Sequence, residues 1–323
     1  MRRIELAQTG QVVSQVALGC MVFGTLTDEQ TSFRILDSFL DDGGDFLDTA
    51  NCYAWWTSPE ATGDESEELL GRYLTGKRDK VFLATKCAAR VADTAGALAA
   101  GSWPEREGFY EGAAPDTVRH AVEDSLRRLR TDYVDLLYIH VDLLTTPVEE
   151  TLQALDSIVR SGKVRYIGWS NTRSWRLELI RSVAEHNGWA KPVAVQQQHS
   201  YLRPNPAADL GGKVGPEMLH YLAHHKDIAL VPYSPILRGL YEHPERLHTP
   251  DWQDYAGPDS EERLAKVAKV AQELGVTNSQ VVLAWLLHQG TFPIVGPRTW
   301  DHWTAYRPAF DLELTPEQLA LLR

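Results

Sequence analysis

The sequence is poor in cysteine and lacks long apolar runs. Its three cysteines, Cys20, Cys52 and Cys87, are odd in number and far apart, so no disulfide framework is implied. No stretch approaches the ~20 apolar residues that a membrane-spanning helix needs. The first residues, from Met1 to Glu5, lack the apolar core of a signal peptide. We therefore expect a cytoplasmic protein.

Positive charge is also scarce. Lys and Arg total 32 against 44 Asp and Glu, so the net charge is 32 − 44 = −12. Nucleic acids and anionic membranes are bound through basic surfaces, so we expect neither as a partner. An anionic cofactor held by a few local cations stays compatible with this balance. His220, His224 and His225 have helical spacing but no HExxH pattern or acidic partner, so we expect no metal site.

The sequence does contain a regular alternation of short apolar runs and amphipathic segments. After a predicted hairpin over residues 4–13, the predicted strands are residues 16–19, 46–48, 81–86, 133–139, 164–169, 192–195, 228–232 and 292–296. Strands that alternate with helices pair in parallel, and eight such units close into an (α/β)8 TIM barrel. A doubly wound open sheet is the alternative, but its glycine-rich fingerprint is absent after the first strand. No linker divides the chain, so we predict one domain over residues 1–323.

Polar residues close these apolar runs. They are Asp48, Lys86, His140, Asn171, Gln196, Tyr233 and Gly296, and Tyr53 follows Asp48 closely. An acid such as Asp48, taken alone, is more often a helix cap or a turn residue. In a barrel, however, the carboxyl ends of all strands meet at one rim, where TIM barrels place their active sites. We therefore expect these side chains to surround one site, with long loops at residues 54–62 and 88–114 above it.

Several motifs in chain order carry a resemblance to a known family. They are Gly43-Gly44-x-Phe46-Leu47-Asp48-Thr49-Ala50-x-x-Tyr53, Gly63-x-x-Ser66-Glu67-x-x-Leu70-Gly71, Ala84-Thr85-Lys86, the run from Ser125 to His140, Gly162-Lys163-Val164-Arg165-x-Ile167-Gly168-x-Ser170-Asn171 and Tyr233-Ser234-Pro235. With them the chain resembles the aldo-keto reductase superfamily from end to end, and most of all the bacterial branch related to potassium-channel β-subunits. The resemblance implies an (α/β)8 barrel whose N-terminal hairpin plugs the floor, and an NADP(H) cofactor bound without a Rossmann motif.

The residue types at the rim suit carbonyl reduction, which needs a hydride donor and a proton donor for the developing alkoxide. Free tyrosine titrates near ~10, so Tyr53 needs help to act as the acid. An adjacent Lys86 should favour the phenolate and lower the pKa of Tyr53, while Asp48 keeps the ammonium charged and in place. His140 can orient the carbonyl by a hydrogen bond to its oxygen. The family assigns these four residues the same catalytic roles.

The resemblance also implies a set of cofactor-binding residues. They are Cys20, Met21, Asp48, Ser170, Asn171, Gln196, Tyr233, Ser234, Pro235, Ile236, Leu237, Arg238, Gly239, Gly296, Arg298, His302 and Tyr306. Within this set, Ser170, Asn171 and Gln196 match positions that hold the nicotinamide carboxamide, and Tyr233 matches the residue that stacks on the ring. Residues 234–239 match the loop over the pyrophosphate. Arg298 would pair with the 2′-phosphate, whereas His302 and Tyr306 replace the family's usual Gln and Asn near adenine.

Aromatic residues on the loops suggest the substrate pocket. Trp55, Trp56, Trp103 and Phe109 lie on loops that the barrel directs toward the site, and His199 replaces a common tyrosine. Flat aromatic side chains suit sugar faces or polyketide-like rings, although they can equally pack the loops. The predicted function is NADPH-dependent reduction of an aldehyde, ketone or sugar carbonyl. The alternatives are a cofactor-sensing regulatory subunit with slow turnover, and a tailoring reductase for nucleotide sugars or natural products.

Overall fold

The computed structural model describes residues 1–58, 60–100 and 104–323, with the backbone alone at 104, 105 and 251. The strands are β1 Arg3–Glu5, β2 Val12–Ser14, β3 Ala17–Gly19, β4 Phe46–Asp48, β5 Phe82–Cys87, β6 Val134–Ile139, β7 Val164–Ser170, β8 Pro192–Gln198, β9 Ala229–Tyr233 and β10 Ile294–Val295. The helices are α1 Glu29–Asp41, α2 Glu65–Tyr73, α3 Thr94–Ala99, α4 Pro115–Leu129, α5 Val148–Arg160, α6 Ser174–Asn187, α7 Pro216–His224, α8 Pro258–Leu274, α9 Asn278–His288, α10 Trp300–Tyr306 and α11 Pro316–Leu321.

The eight strands β3 to β10 form one parallel sheet that curls into a barrel. The order of hydrogen-bonded neighbours is β10-β3-β4-β5-β6-β7-β8-β9. The remaining seam is bridged where the amide of Phe292 donates to the carbonyl of Leu230 at 3.0 Å, just before β10. The predicted barrel is therefore confirmed, and the alternative of a doubly wound open sheet is wrong.

The hairpin of β1 and β2 closes the floor of the barrel. Its two strands are antiparallel, and Leu6 and Val13 are fully buried in one apolar cluster with Phe46, Phe82 and Phe292. The last three side chains belong to the barrel strands or to the segment entering β10. The predicted plug therefore consists of apolar hairpin side chains that cap the interior layers.

Helices surround the barrel as an outer layer, and several of them bury one apolar face. In α4, Val118, Val122 and Leu126 are buried at successive turns. Helix α2 begins at Glu65. The Ser66 hydroxyl is not the N-cap; instead it donates to the carbonyl of Cys20 at 2.7 Å, so it ties the helix to the end of β3.

The segment 88–114, predicted as a loop, contains secondary structure of its own. Helix α3 and a 3₁₀ turn at Pro104–Phe109 lie within it, and an antiparallel bridge joins Val91 to Tyr110. The described parts of the segment are therefore joined to each other near its two ends by this bridge. Across the described parts of the chain, the helices are all too short or too polar to span a membrane.

Candidate active site

The path of the chain after β4 places Tyr53 over the end of β5. The amides of Thr49 and Asn51 donate to the carbonyls of Ala84 and Lys86, at 2.9 and 3.1 Å. These bonds continue the pairing with β5 beyond the last residue of β4. The chain consequently follows β5 to its carboxyl end, where Tyr53 meets Lys86.

The Lys86 ammonium is fully buried, and all three of its N–H donors have an acceptor. Nζ donates to Asp48 Oδ1 at 2.5 Å, to the carbonyl of Thr49 at 2.8 Å and to the phenol oxygen of Tyr53 at 2.6 Å. An ammonium has three donors and no acceptor. Lys86 is therefore saturated, and Tyr53 oxygen is an acceptor of one charged hydrogen bond.

Both oxygens of the Asp48 carboxylate are also engaged. Oδ1 accepts from Lys86, and Oδ2 accepts from the side-chain amide of Gln196 at 2.8 Å. The phenol of Tyr53 is 3.5 Å from Oδ1, which is longer than a normal O–H···O bond. The Tyr53 proton is thus not committed to a strong bond with Asp48.

The pKa of Tyr53 is raised well above its usual value, in contrast to the expected lowering by Lys86. Burial is the main cause, and the charge of Asp48 adds to it. Since Asp48 lies 2.5 Å from Lys86, the phenol faces a paired cation rather than an isolated one. Burial also lowers the pKa of Lys86, and Asp48 opposes this shift. Tyr53 therefore keeps its proton at neutral pH.

His140 lies beside Tyr53 at the end of β6. The two rings meet edge to face, with centroids 5.6 Å apart. Burial, with the Lys86 charge as a smaller cause, holds the pKa of His140 well below its usual value, so the imidazole is neutral. Its Nδ1 lies 3.5 Å from the thiol sulfur of Cys52. The predicted catalytic residues Asp48, Tyr53, Lys86 and His140 are thus brought together.

Residues predicted to hold the nicotinamide lie at the ends of β7, β8 and β9. Asn171, in a left-handed conformation with φ 51°, donates to the carbonyl of His140 at 2.8 Å and to Ser170 Oγ at 3.2 Å. The Tyr233 hydroxyl donates to Asn171 Oδ1 at 2.8 Å. Gln196 is linked to the predicted catalytic residues through its hydrogen bond to Asp48. One hydrogen-bonded network therefore connects this face of the site to the catalytic residues.

The loop after β9 has an unusual backbone for residues with side chains. Ser234, Leu237, Arg238 and Gly239 all have positive φ, at 50°, 48°, 53° and 82°. Such conformations are costly for residues other than glycine and are found where a backbone approaches a ligand. Within the described chain, the exposed guanidinium of Arg238 has no carboxylate partner. Pro235 and Ile236 complete this turn, with Ile236 packed against the core.

The neighbouring rim segment after β10 carries Gly296, Arg298, His302 and Tyr306. Arg298 is exposed, and its guanidinium forms no ion pair with any described residue. Its backbone amide faces His302 Nδ1 at 3.4 Å. The rings of His302 and Tyr306, one turn apart on α10, are stacked with centroids 6.4 Å apart. The planes of the two rings are inclined by 29°. A cation without a described carboxylate partner suits a phosphate, and neighbouring rings suit an adenine.

Residues at the end of β3 border the same rim. Cys20 is buried, and its amide donates to the carbonyl of Asp48 at 2.9 Å. Met21, the next residue, is exposed. Cys20, one of the predicted cofactor-binding residues, therefore adjoins Asp48.

The aromatic loop residues divide into packing and exposed groups. Trp55 is only 5% exposed and packs with Val91, Ala97 and Phe109 between the two loops. Trp56 is 40% exposed and meets Trp55 edge to face, with centroids 5.7 Å apart. Trp103 lies outside the described residues. Among the described residues of this group, Trp55 and Phe109 thus hold the loops together, and Trp56 is the exposed aromatic side chain.

His199 is packed in the outer helical layer, in contrast to the expected position in the substrate pocket. Its ring lies 6.2 Å from Trp285 of α9, and the residue is 8% exposed. Burial, together with the charge of Arg263, lowers its pKa to about 4. The reason is that His199, the residue after β8, packs against Trp285 of α9. A contact with Asp48, Tyr53, Lys86 or His140 is absent from the described structure.

Sequence reasoning missed the residues that anchor the loop carrying Tyr53. Arg90 donates to the carbonyl of Asn51 at 2.8 Å and pairs with Asp64 at 2.6 Å. Glu111 accepts from the amide of Ala88 at 3.0 Å and from Asn51 Nδ2 at 3.3 Å. These contacts join loops distant in sequence, and only the acidic and basic residue types hinted at them. Cys52 was considered only for disulfide formation.

Comparison with known proteins identifies related sequences and a related structure. The model of the Aldo/keto reductase family matches residues 15–323. Norsolorinic acid reductase stcV of Emericella nidulans is 31% identical over 95% of this chain and 76% of its own length. Aryl-alcohol dehydrogenase [NADP(+)] of Phanerodontia chrysosporium is 29% identical over 97% and 82%. The crystal structure of the thermostable aldo-keto reductase Tm1743 with the inhibitor epalrestat superposes with a TM-score of 0.73 and 26% identity, covering 100% of this chain and 98% of that one.

Proposed function

Since this chain belongs to the aldo/keto reductase family, we propose that it is an NADPH-dependent oxidoreductase that reduces a carbonyl to an alcohol. The observation that carries the proposal is the hydrogen-bond arrangement at Lys86, whose three donors reach Asp48, Thr49 and Tyr53. A buried lysine saturated in this way needs its charge, which Asp48 balances, and its remaining side-chain partner is the phenol of Tyr53. The arrangement suits proton donation by Tyr53.

The cofactor, when bound, supplies the hydride that attacks the carbonyl carbon. Tyr53 donates its proton to the carbonyl oxygen as the negative charge develops there. Lys86 already donates to the Tyr53 oxygen at 2.6 Å, so the phenolate that remains is stabilised without reorganisation. Asp48 keeps Lys86 charged, and His140 orients the carbonyl by a hydrogen bond.

NADPH is the proposed cofactor because the phosphate positions carry cations that no described carboxylate neutralises. Arg238 and Arg298 lie on the rim loops after β9 and β10 and are exposed. In a chain of net charge −12, two unpaired guanidiniums on adjacent loops favour an anionic ligand. The name of the relative aryl-alcohol dehydrogenase [NADP(+)] is consistent with this choice.

The proposed substrate is a small aromatic aldehyde or ketone. The exposed Trp56 ring, backed by Trp55, offers a flat apolar surface on the loop that carries Tyr53, and aromatic rings pack well on such a surface. The relative that acts on aryl alcohols, by its name, supports the same class.

The test has two stages. NADPH and NADH are first titrated by the quenching of tryptophan fluorescence, and a panel of aryl aldehydes, ketones and sugars is then assayed by the loss of NADPH absorbance. Tyr53→Phe should abolish turnover and leave NADPH binding within about twofold. Tyr221→Phe, which removes a remote hydroxyl bonded to Glu178, is the matched control and should keep full activity. Undiminished turnover by Tyr53→Phe, or binding of neither nucleotide, contradicts the proposal.

A further inference from the structure

The thiol of Cys52 lies within hydrogen-bonding distance of the Nδ1 atom of His140. Its sulfur is 3.5 Å from His140 Nδ1, and Cys52 is 4% exposed. Cys52 directly precedes Tyr53 on the loop after β4, whereas His140 ends β6. The contact therefore joins the loop of the proton donor to the imidazole of another strand.

The position of Cys52 is set tightly by its surroundings. Cys52 packs with Ala50, Ala89 and Val141. Gly63, with φ +90°, approaches so closely that a Cβ there would lie 3.1 Å from the Cys52 Cα. The sulfur is thus held in place by contacts on several sides.

The direction of the hydrogen bond follows from the protonation states of the two groups. Burial is the main cause that raises the pKa of Cys52 to about 12, so the group is a thiol and not a thiolate. His140 is neutral, because burial and Lys86 hold its pKa well below the usual value. A neutral imidazole has one N–H and one lone pair, and this lone pair accepts better than a thiol sulfur does. With both groups neutral, an S–H bond from Cys52 to Nδ1, with the ring proton on Nε2, is therefore the favoured arrangement.

Little else in the described structure orients this ring. The backbone of His140 is anchored by the carbonyl of Cys87 and by the amide of Asn171, but these bonds leave the side-chain torsions free. Among the described residues, the ring has one aromatic contact, with the edge of Tyr53, and one hydrogen bond, with the thiol of Cys52. Cys52 is consequently the one polar partner, among the described residues, that selects a ring nitrogen.

We propose that Cys52 is a positioning residue for His140: its thiol donates to Nδ1, selects the Nε2–H tautomer and aims that N–H at the substrate carbonyl oxygen. The catalytic part of this inference rests on the proposed function. The tautomer itself is a property of the free protein. It can therefore be measured whether or not a reductase activity is found.

The experiment compares two substitutions of Cys52 in the full chain. Cys52→Ser keeps a hydroxyl donor, and Cys52→Val removes the donor while filling the space. The 15N signals of the His140 ring, assigned by their loss in His140→Gln, report the tautomer directly. The wild type and Cys52→Ser should show Nε2–H alone, whereas Cys52→Val should show a mixture of both tautomers.

Kinetics supply the second readout. In Cys52→Val, kcat/KM for an aryl aldehyde should fall about tenfold, equivalent to about 1.4 kcal/mol, with unchanged NADPH affinity. Cys52→Ser should recover most of the loss. A single Nε2–H tautomer in Cys52→Val overturns the inference even if activity falls. If the wild type reduces no carbonyl, the proposed function fails, and the tautomer measurement still decides the role of Cys52. If Cys52→Val does not fold, the wild type and Cys52→Ser still test the inference. A His140 ring protonated on Nδ1 in either protein overturns it.

Discussion

The Nζ atom of Lys86 lies 2.6 Å from the phenol oxygen of Tyr53, so the lysine donates to the oxygen whose proton would be transferred in the proposed reaction. The proton of Tyr53 must consequently point away from Lys86. Because Asp48 balances the ammonium charge at 2.5 Å, the pair does not ionise the phenol beforehand. The geometry keeps Tyr53 as an acid and stabilises its conjugate base only once that base forms.

The buried pair of Asp48 and Lys86 should show strong coupling in stability. Asp48→Asn leaves the buried Lys86 ammonium without its counter-charge, which costs about 3–5 kcal/mol of unfolding free energy in such cases. The double variant Asp48→Asn/Lys86→Met has no buried charge to compensate. Its loss of unfolding free energy should therefore be much smaller than the sum of the losses in the two single variants. Urea unfolding of the four proteins measures this. Additive losses would mean that the ion pair contributes no coupling.

The rate of reduction should be insensitive to pH around neutrality. Tyr53 must be protonated, and this requirement fails only as pH rises through a pKa held well above 10. His140 must be neutral, and this fails only as pH falls through a pKa held well below 6.5. At saturating NADPH, kcat/KM for an aryl aldehyde should therefore be flat between about pH 6.5 and 9. A titration near pH 7–8 would show that the pKa of an essential group lies there.

His199 should make the protein less stable in acid. Its pKa is about 4 in the folded protein and about 6.5 when unfolded. Below pH 6.5, His199 binds a proton in the unfolded chain but not in the folded protein. The contribution of His199 to the free energy of unfolding is therefore complete above that pH and is lost as pH falls toward 4. His199→Tyr should reduce the loss of unfolding free energy between pH 7 and 4.5 by roughly 2–3 kcal/mol. The exposed His186→Tyr is the control in the same urea measurements. Equal losses in the wild type and His199→Tyr would contradict the shift.

Arg298 should decide the preference for NADPH over NADH. A charged hydrogen bond is worth about 1.5–3 kcal/mol, so Arg298→Ala should weaken NADPH binding roughly tenfold to a hundredfold and leave NADH binding unchanged. Arg307→Ala is the control, because that arginine is paired with Asp42 at 2.6 Å and is not available to a phosphate. Fluorescence titration gives both dissociation constants. An equal loss for both nucleotides would place Arg298 away from the 2′-phosphate.

Much of the fold could be read from the order of residues. Eight short apolar runs between amphipathic helices admit few parallel arrangements, and the carboxyl ends of Phe46–Asp48 and its neighbours must then share a rim. For this reason Asp48, Lys86 and His140 could be assigned to one site from sequence. The short helix α3 could not be predicted from sequence, since Thr94–Ala99 is rich in Ala and Gly and has no helical spacing of apolar residues.

The sequence by itself therefore determined the barrel and which residue types meet at its rim, because strand periodicity and chain order decide both. Only the tertiary structure decided what each side chain does there. Hydrogen bonding and burial depend on neighbours distant along the chain: Asp48 and burial together raise the pKa of Tyr53, and His199 turns to Trp285. The thiol of Cys52 likewise acquires its partner, His140, only when β4 and β6 end at the same rim.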